Sequence, residues 1–197
     1  ELLEMLEVNN SIITADAMSC QKEIVKTITG KKADYVIALK RNQPGLLENA
    51  VLYFDSFRKE LSPLVTNGKD HGRIEKREYR LLTDLSWLPG QKEWSGLKSV
   101  GEVQSTVTRN GETTTDTRYF ISSLTDLSQF AHAVRCHWSI ENQLHWCLDV
   151  IFDEDGSRAR KDMSPLNLNV LRKVALSLCK NCQNPKLRKS SLQKRRF

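Results

Sequence analysis

Hydrophobic and polar positions in the first third of the chain follow two different periods, which indicates strands interleaved with helices. The predicted elements are a helix over 2–8, a strand over 11–15, a helix over 17–28 closed by Gly30, and a strand over 34–39. A strand, a helix and a strand in succession predict a parallel βαβ unit. This unit places Asp16 at the carboxyl end of a strand, where ligands and catalytic groups gather in open α/β sheets.

The middle of the chain changes from helical spacing to alternation of apolar and polar residues. Pro44 opens a predicted helix that continues to about Lys59, and Asn110-Gly111 is a hairpin signal between two alternating runs. The later predicted elements are strands over 74–83, 98–109 and 113–122 and helices over 127–148 and 166–179. We therefore expect an α/β fold with an antiparallel β block, residues 62–122, before a helical region.

The composition is that of an ordinary globular domain, with 39% apolar and 27% charged residues among 197, which excludes disordered and collagen-like proteins. No apolar run reaches the roughly 20 residues that cross a bilayer, and no secretory leader opens the chain, so a cytoplasmic protein without a membrane segment is expected. The net charge of +6 is concentrated in residues 180–197, which hold seven basic residues and no acid. We predict a domain over residues 1–179 and a basic tail that either binds a polyanion or is simply solvated.

The densest group of polar side chains is a row of residues four apart in a predicted helix: His137, Glu141, His145 and Asp149. Surface ion pairs are one explanation. A zinc site with both histidines is a second, although the usual hydrolytic zinc helix carries its glutamate next to the first histidine. The third pairs Glu141 with Asp16, because carboxylate oxygens suit Mg²⁺ or Mn²⁺ better than zinc.

Three segments resemble the H-repeat-associated family of DDE transposases: Thr14-Ala-Asp-Ala-Met-Ser-Cys-Gln21, Asp34-Tyr-Val-Ile-Ala-Leu-Lys-Arg-Asn-Gln43 and His137-Trp-Ser-Ile-Glu-Asn-Gln-Leu-His-Trp146. The resemblance runs nearly end to end. It implies a ribonuclease-H-like fold in which three acids bind two divalent ions, Mg²⁺ or Mn²⁺, to cut and join DNA ends. In this comparison Asp16 resembles the second acid and Glu141 the third, and residues 62–122 resemble the β insertion before the last catalytic helix.

The resemblance also shows departures from the family pattern. The first acid and the first strands of the fold would lie before Glu1, so the chain resembles the C-terminal portion of a transposase and is expected to be inactive alone. The Tyr, Arg and Lys that accompany the last acid in the wider superfamily are replaced here by Val134, His137 and Leu148.

The expected partner is DNA, specifically transposon ends, and a homodimer and association with a bacterial nucleoid are family-level expectations. The residues expected to contact DNA phosphates are Arg135, His137, Arg158, Arg160 and Lys161.

Two other functions stay open. A non-catalytic DNA-binding remnant would use the basic tail together with Lys31, Lys32, Lys40 and Arg41, and its affinity would fall steeply as salt rises. A zinc-dependent hydrolase would use His137 and His145.

Overall fold

The computed structural model describes residues 2–70, 73–140 and 144–182, and it divides the chain into two compact units, Glu1–His137 and Trp138–Phe197. The first unit is a mixed α/β fold and the described part of the second is helical. The mixed α/β class agrees with the sequence. The predicted boundary between residues 179 and 180 stays a prediction.

The first unit contains strands β1 (Ile12–Ala15), β2 (Asp34–Leu39), β3 (Leu64–Asp70), β4 (Arg73–Leu82), β5 (Ser99–Arg109) and β6 (Glu112–Ser122). Its helices are α1 (Leu2–Met5), α2 (Lys22–Gly30), α3 (Pro44–Phe57) and the larger part of α4 (Leu127–Ile140). Short 3₁₀ turns cover Ala17–Ser19 and Gln91–Glu93.

These strands form one sheet in the order β1-β2-β6-β5-β4-β3. β1 and β2 are parallel, with Ala15 beside Ile37, and the other neighbouring pairs are antiparallel. β2 also pairs with β6, where Leu39 lies opposite Tyr119, so the antiparallel block is continuous with the parallel pair. The predicted parallel pair and the three predicted antiparallel strands are confirmed, and Asp16 directly follows β1.

β3 is a strand that the hydrophobic pattern does not predict. Asn67 and Gly68 lie within it, and both residue types are depleted in strands. Pairing with β4 extends from Leu64 opposite Tyr79 to the end of the strand. The ladder of backbone hydrogen bonds therefore outweighs the weak local propensity.

The segment after Asp16 is not the continuous helix that the sequence predicts over 17–28. The 3₁₀ turn Ala17–Ser19 comes first, Gln21 is extended with φ −139° and ψ 140°, and α2 begins only at Lys22. This interruption leaves carbonyl groups of the turn without α-helical partners, and buried backbone groups of this kind need hydrogen bonds from elsewhere.

The end of α2 also differs from the prediction. The sequence predicts that Gly30 closes the helix, whereas Gly30 is its last helical residue and the left-handed position is Lys32, with φ 56°. The N–H of Ala33 donates to the carbonyl of Ile28, and that of Lys32 donates to Thr29, which is a Schellman motif. Ile28 and Ala33 are both buried, so apolar packing fixes where the helix ends.

The sequence also predicts the end of α1 and the turn between β5 and β6. α1 ends at Met5, short of the predicted 2–8. The predicted hairpin at Asn110-Gly111 is confirmed, because both residues have positive φ, 52° and 84°, as a two-residue type I′ turn requires.

The core is divided between the two faces of the sheet. Tyr35 and Ile37 of β2 pack in a cluster with residues of α2 and α3, whereas Val36 belongs to a cluster with Phe130 of α4. The sheet therefore lies between α2 and α3 on one side and α4 on the other. Gly101 of β5 makes room for the ring of Phe130, since a Cβ there would lie 2.2 Å from its Cζ atom.

A buried carboxylate joins α3 to the sheet. Glu102 of β5 is fully buried and accepts hydrogen bonds from Arg58, at 2.7 Å to Nη2, and from Arg80, at 3.2 Å to Nη1. Hydrogen bonding to Glu102 raises the pKa of Arg58 above its already high value. The two guanidinium groups together compensate the charge that Glu102 carries into the interior.

The second unit contains a π-helical segment, Cys147–Ile151, and α5 (Ser164–Lys180). The prediction of a regular α-helix to residue 148 is therefore wrong near its end. Residues four apart lie on one face of an α-helix, and π-helical hydrogen bonding changes this spacing at Asp149, the last residue of the predicted row. Buried Leu148 and Leu176 join this segment to α5. No helix within the described residues is long and apolar enough to cross a membrane.

Candidate active site

Asp16 lies where the carboxyl ends of β1 and β2 meet. Its backbone is extended, with φ −70° and ψ 167°, and its side chain makes no capping hydrogen bond to the turn that follows. The side chain is 77% exposed. A carboxylate in this position is accessible to a cation or a substrate.

His137 lies against the end of β1, although it comes from α4 near the other end of the first unit. Its Nε2 atom is 3.5 Å from Oδ1 of Asp16, and its Nδ1 atom is 3.1 Å from Oγ1 of Thr14. The structure thus brings together two residues that the sequence singles out and adds Thr14. The signal for Thr14 is its spacing, because side chains two apart on an extended backbone point to the same side.

The turn after Asp16 is tied to the connection that follows β2. Asn42 Nδ2 donates to the carbonyl oxygen of Ala17 at 2.6 Å, and Gln43 Nε2 donates to that of Cys20 at 2.9 Å. The sequence pattern assigns these two amides no role. The available signal is two consecutive amide residues directly after a buried strand that runs parallel to β1.

Glu141, the predicted partner of Asp16, lies outside the described residues, as do the basic residues beyond Cys182. The pairing of the two acids and the zinc site with His137 and His145 therefore stay predictions. Within 2–70, 73–140 and 144–182, no three His, Cys, Asp or Glu side chains form a group that could hold a metal ion.

The residues predicted to contact DNA are divided between the two units. Arg135 is exposed on α4, two positions before His137. Arg158, Arg160 and Lys161 are exposed in the second unit, after its acidic loop. Nη1 of Arg160 donates to two neighbouring carbonyl oxygens, at 2.8 and 2.9 Å, which holds the guanidinium against its own loop.

A cavity of about 310 Å³ in the second unit is lined by Arg160 and by Arg172 of α5. Glu154 and Asp155 line the same cavity, and Asn169 donates a hydrogen bond to Glu154. Because two acids face two bases, the charges of the cavity do not by themselves select an anion.

Residues 1–178 of the chain match the protein family described as "Transposase DDE domain". The chain is 36% identical over 198 residues to "Putative transposase YncI" of Escherichia coli O157:H7, an alignment that covers 94% of the chain and 50% of that protein. It is 35% identical over 195 residues to "H repeat-associated putative transposase YhhI" of Escherichia coli K12, covering 92% of the chain and 50% of that protein.

"Putative protein YbfL" of Escherichia coli K12 is 36% identical over 195 residues, with 92% of the chain and 50% of that protein covered. The chain therefore spans about half the length of these curated relatives.

Proposed function

This chain belongs to the transposase DDE domain family, and on this premise we propose that it supplies part of a ribonuclease-H-like core for metal-dependent cleavage and strand transfer of DNA. The observation that carries the proposal is the position of Asp16, an exposed carboxylate at the carboxyl end of a parallel strand. The carboxylate is not engaged as a helix cap, so it is available as a ligand.

The chemistry of the donor set fits a hard divalent cation. Carboxylate oxygens are the preferred ligands of Mg²⁺ and Mn²⁺, and the Asp16 side chain is 77% exposed. Asp16 and Glu141 would hold the cation. When bound, such ions lower the pKa of an attacking water or hydroxyl and stabilise the leaving oxygen of a phosphodiester.

The side chains of this chain have three tasks under the proposal. Asp16 and Glu141 bind cations, His137 orients the Asp16 carboxylate, and exposed Arg135 binds a DNA phosphate beside them. The 3.5 Å contact between His137 and Asp16 supports the second task. The exposure of Arg135 on the same helix as His137 supports the third.

Two carboxylates do not complete the set of three that the family resemblance implies. We propose that a protein of these 197 residues alone binds one divalent ion weakly and does not cleave DNA efficiently, because two metal ions need a carboxylate that bridges them. The activity proposed here is accordingly that of the whole transposase.

Manganese binding to the purified chain tests the assignment of Asp16. Titration calorimetry should show binding that Asp16→Asn weakens about tenfold, because this change removes one charged ligand. Asp116→Asn is the matched control, since Asp116 is also an exposed carboxylate, 61% accessible, and lies on β6 in contact with Arg118. Equal affinities for the wild type and Asp16→Asn would refute the assignment.

A non-catalytic DNA-binding protein is the second candidate, and the exposure of Lys40 and Arg41 directly after β2 favours it. Lys31 does not support it, because Lys31 Nζ donates at 3.0 Å to the carbonyls of both Glu4 and Leu6. DNA binding that does not depend on divalent ions would favour this candidate over the catalytic one.

A further inference from the structure

The backbone that follows Asp16 forms a short 3₁₀ turn, Ala17–Ser19, closed by two backbone hydrogen bonds. The N–H of Ser19 donates to the carbonyl of Asp16 at 2.9 Å, and the N–H of Cys20 donates to Ala17 at 2.9 Å. Gln21 then leaves the turn in an extended conformation. The orientation of the Asp16 side chain therefore depends on a segment that belongs neither to β1, which ends at Ala15, nor to α2, which begins at Lys22.

Side-chain amides donate hydrogen bonds to three carbonyl oxygens of this turn, including that of Ala17, which also accepts from the Cys20 N–H. Asn42 donates to Ala17 at 2.6 Å, Gln43 donates to Cys20 at 2.9 Å, and Gln21 donates to Met18 at 2.9 Å. Asn42 and Gln43 are distant in sequence, so their hydrogen bonds join two separate connections at the same edge of the sheet.

The position of Gln43 argues against a role in its own helix. Gln43 is the N-cap residue of α3, yet its side chain makes no capping hydrogen bond to that helix. An N-cap side chain ordinarily accepts a hydrogen bond from the first turn, and glutamine is not among the preferred N-cap residues. The Gln43 amide instead contacts Cys20 in the turn beside Asp16.

Ala17 and Cys20, the two residues whose carbonyls are held, are themselves buried, at 7% and 0% exposure. The turn is thus fixed on its inner side by packing and on its carbonyl groups by Asn42 and Gln43, while the Asp16 carboxylate projects into solvent. A ligand group held by rigid neighbours loses less conformational freedom when it binds a cation.

We propose that Asn42 and Gln43 are positioning residues that hold the turn after Asp16 and thereby preorganise its carboxylate for a divalent cation. The inference rests on the proposed function, in which Asp16 is a metal ligand. It assigns the amide pair after β2 to the metal site, although neither amide is itself a ligand.

The test uses neutral variants of similar size, because a new carboxylate beside the site would itself attract cations. Asn42→Leu and Gln43→Met remove the donors without adding charge. Asn49→Leu is the matched control, since Asn49 Nδ2 also donates to a backbone carbonyl, that of Gly45 at 2.7 Å, but within α3.

Three measurements on the 197-residue chain separate positioning from a general loss of stability. They are manganese affinity, amide hydrogen exchange at residues 17–20, and the midpoint of thermal unfolding. We expect Asn42→Leu and Gln43→Met each to weaken manganese binding about tenfold and to speed exchange in the turn. Asn49→Leu should leave manganese affinity and exchange in the turn unchanged, even if it lowers the melting temperature as much as Asn42→Leu or Gln43→Met does.

The outcomes distinguish failure of this inference from failure of the proposed function. If manganese binds the wild type through Asp16 but binds both amide variants equally well, the positioning role is overturned and the metal site stands. If Asp16→Asn binds manganese as the wild type does, the metal site is overturned, and the positioning role with it. Unchanged exchange at residues 17–20 in both variants would show that the amides do not hold the turn.

Discussion

His137 and Asp16 form a contact whose chemistry fixes the tautomer of a neutral ring. Nε2 of His137 faces the Asp16 carboxylate, which only accepts hydrogen bonds, while Nδ1 faces the hydroxyl of Thr14, which can donate or accept. Attraction to the carboxylate requires the proton on Nε2. Nδ1 must then accept from Thr14, so the Thr14 hydroxyl acts on Asp16 through the ring between them.

Replacing Thr14 by valine should change the tautomer of His137. In the wild type at a pH where the ring is neutral, we expect the Nε2–H form, because Thr14 donates to Nδ1. Thr14→Val removes this donor at nearly constant volume, so the Nδ1–H form should become populated. Ring ¹⁵N chemical shifts of His137 measure the ratio directly. His132, whose Nε2 lies 3.4 Å from Cys136 Sγ, serves as the internal control, and a change in both rings would point to a general disturbance.

DNA binding by the chain should weaken with salt, and Arg135 should contribute to that dependence. Each phosphate contact releases counterions, so Arg135→Gln should reduce the slope of log affinity against log salt by about 0.9. Fluorescence anisotropy of a labelled duplex at several sodium chloride concentrations gives the slope. Lys92→Gln is the control, because Lys92 is an exposed base in the 3₁₀ turn before β5. An Arg135 variant with the wild-type slope would remove Arg135 from the DNA-binding surface.

Glu102→Gln should destabilise the first unit strongly. The change removes the buried carboxylate that both arginines share, so Arg80, which is only 7% exposed, and Arg58 keep only the less buried carboxylates of Glu78 and Asp55. Breaking a buried ion pair in this way costs about 3 kcal/mol of unfolding free energy. Urea denaturation followed by circular dichroism measures the loss. Glu112→Gln, an exposed change at the start of β6, should alter stability by less than about 0.5 kcal/mol.

Gly101→Ala should destabilise the protein through overpacking. The new methyl group would lie 2.2 Å from Cζ of Phe130, whose ring is fully buried and cannot move freely. We expect a loss of about 1–3 kcal/mol in the same urea titration. Gly68→Ala is the control, since nothing lies within 4 Å of its added Cβ. Phe130→Leu should partly restore stability in the Gly101→Ala background; if it only adds a further loss, the clash is not the cause.

Thiol labelling should distinguish Cys20 from Cys136. Burial raises the pKa of Cys20 to about 12, so almost none of it is thiolate at pH 8, whereas Cys136 is exposed. A maleimide reagent followed by peptide mass mapping should label Cys136 in the native protein and Cys20 only after denaturant is added. Rapid native labelling of Cys20 would contradict the burial of the turn that follows Asp16.

Local sequence signals predicted β2 and the hairpin correctly because each is encoded within a short stretch. The buried run of β2 ends where its apolar residues end, and Asn110-Gly111 specifies its turn by backbone conformation alone. β3 differs, because its hydrogen bonds with β4 depend on a neighbouring strand. The end of α2 likewise depends on the burial of Ile28 and Ala33 in one apolar cluster, which the presence of glycine at position 30 does not reveal.

In the candidate site, too, some features follow from local sequence and others from tertiary packing. The position of Asp16 follows from the parallel unit, which is local. The contact between Thr14 and His137 depends on where α4 packs against the sheet, and the contact of Asn42 with Ala17 depends on the placement of two connections. The spacing of Thr14 and the amide pair after β2 mark residues near the site, but they do not reveal which groups these residues contact, because tertiary packing creates both contacts.

The pairing of β2 with β6 determines when this edge of the sheet can be completed during synthesis on the ribosome. Leu39 leaves the exit tunnel long before its partner Tyr119, by several seconds at roughly 5–20 residues per second. During that interval β2 can pair with β1 alone and presents its other side to solvent or to chaperones. A message broken before residue 112 would release a chain that contains Asp16 and both strands of the parallel pair but cannot finish the sheet that supports them.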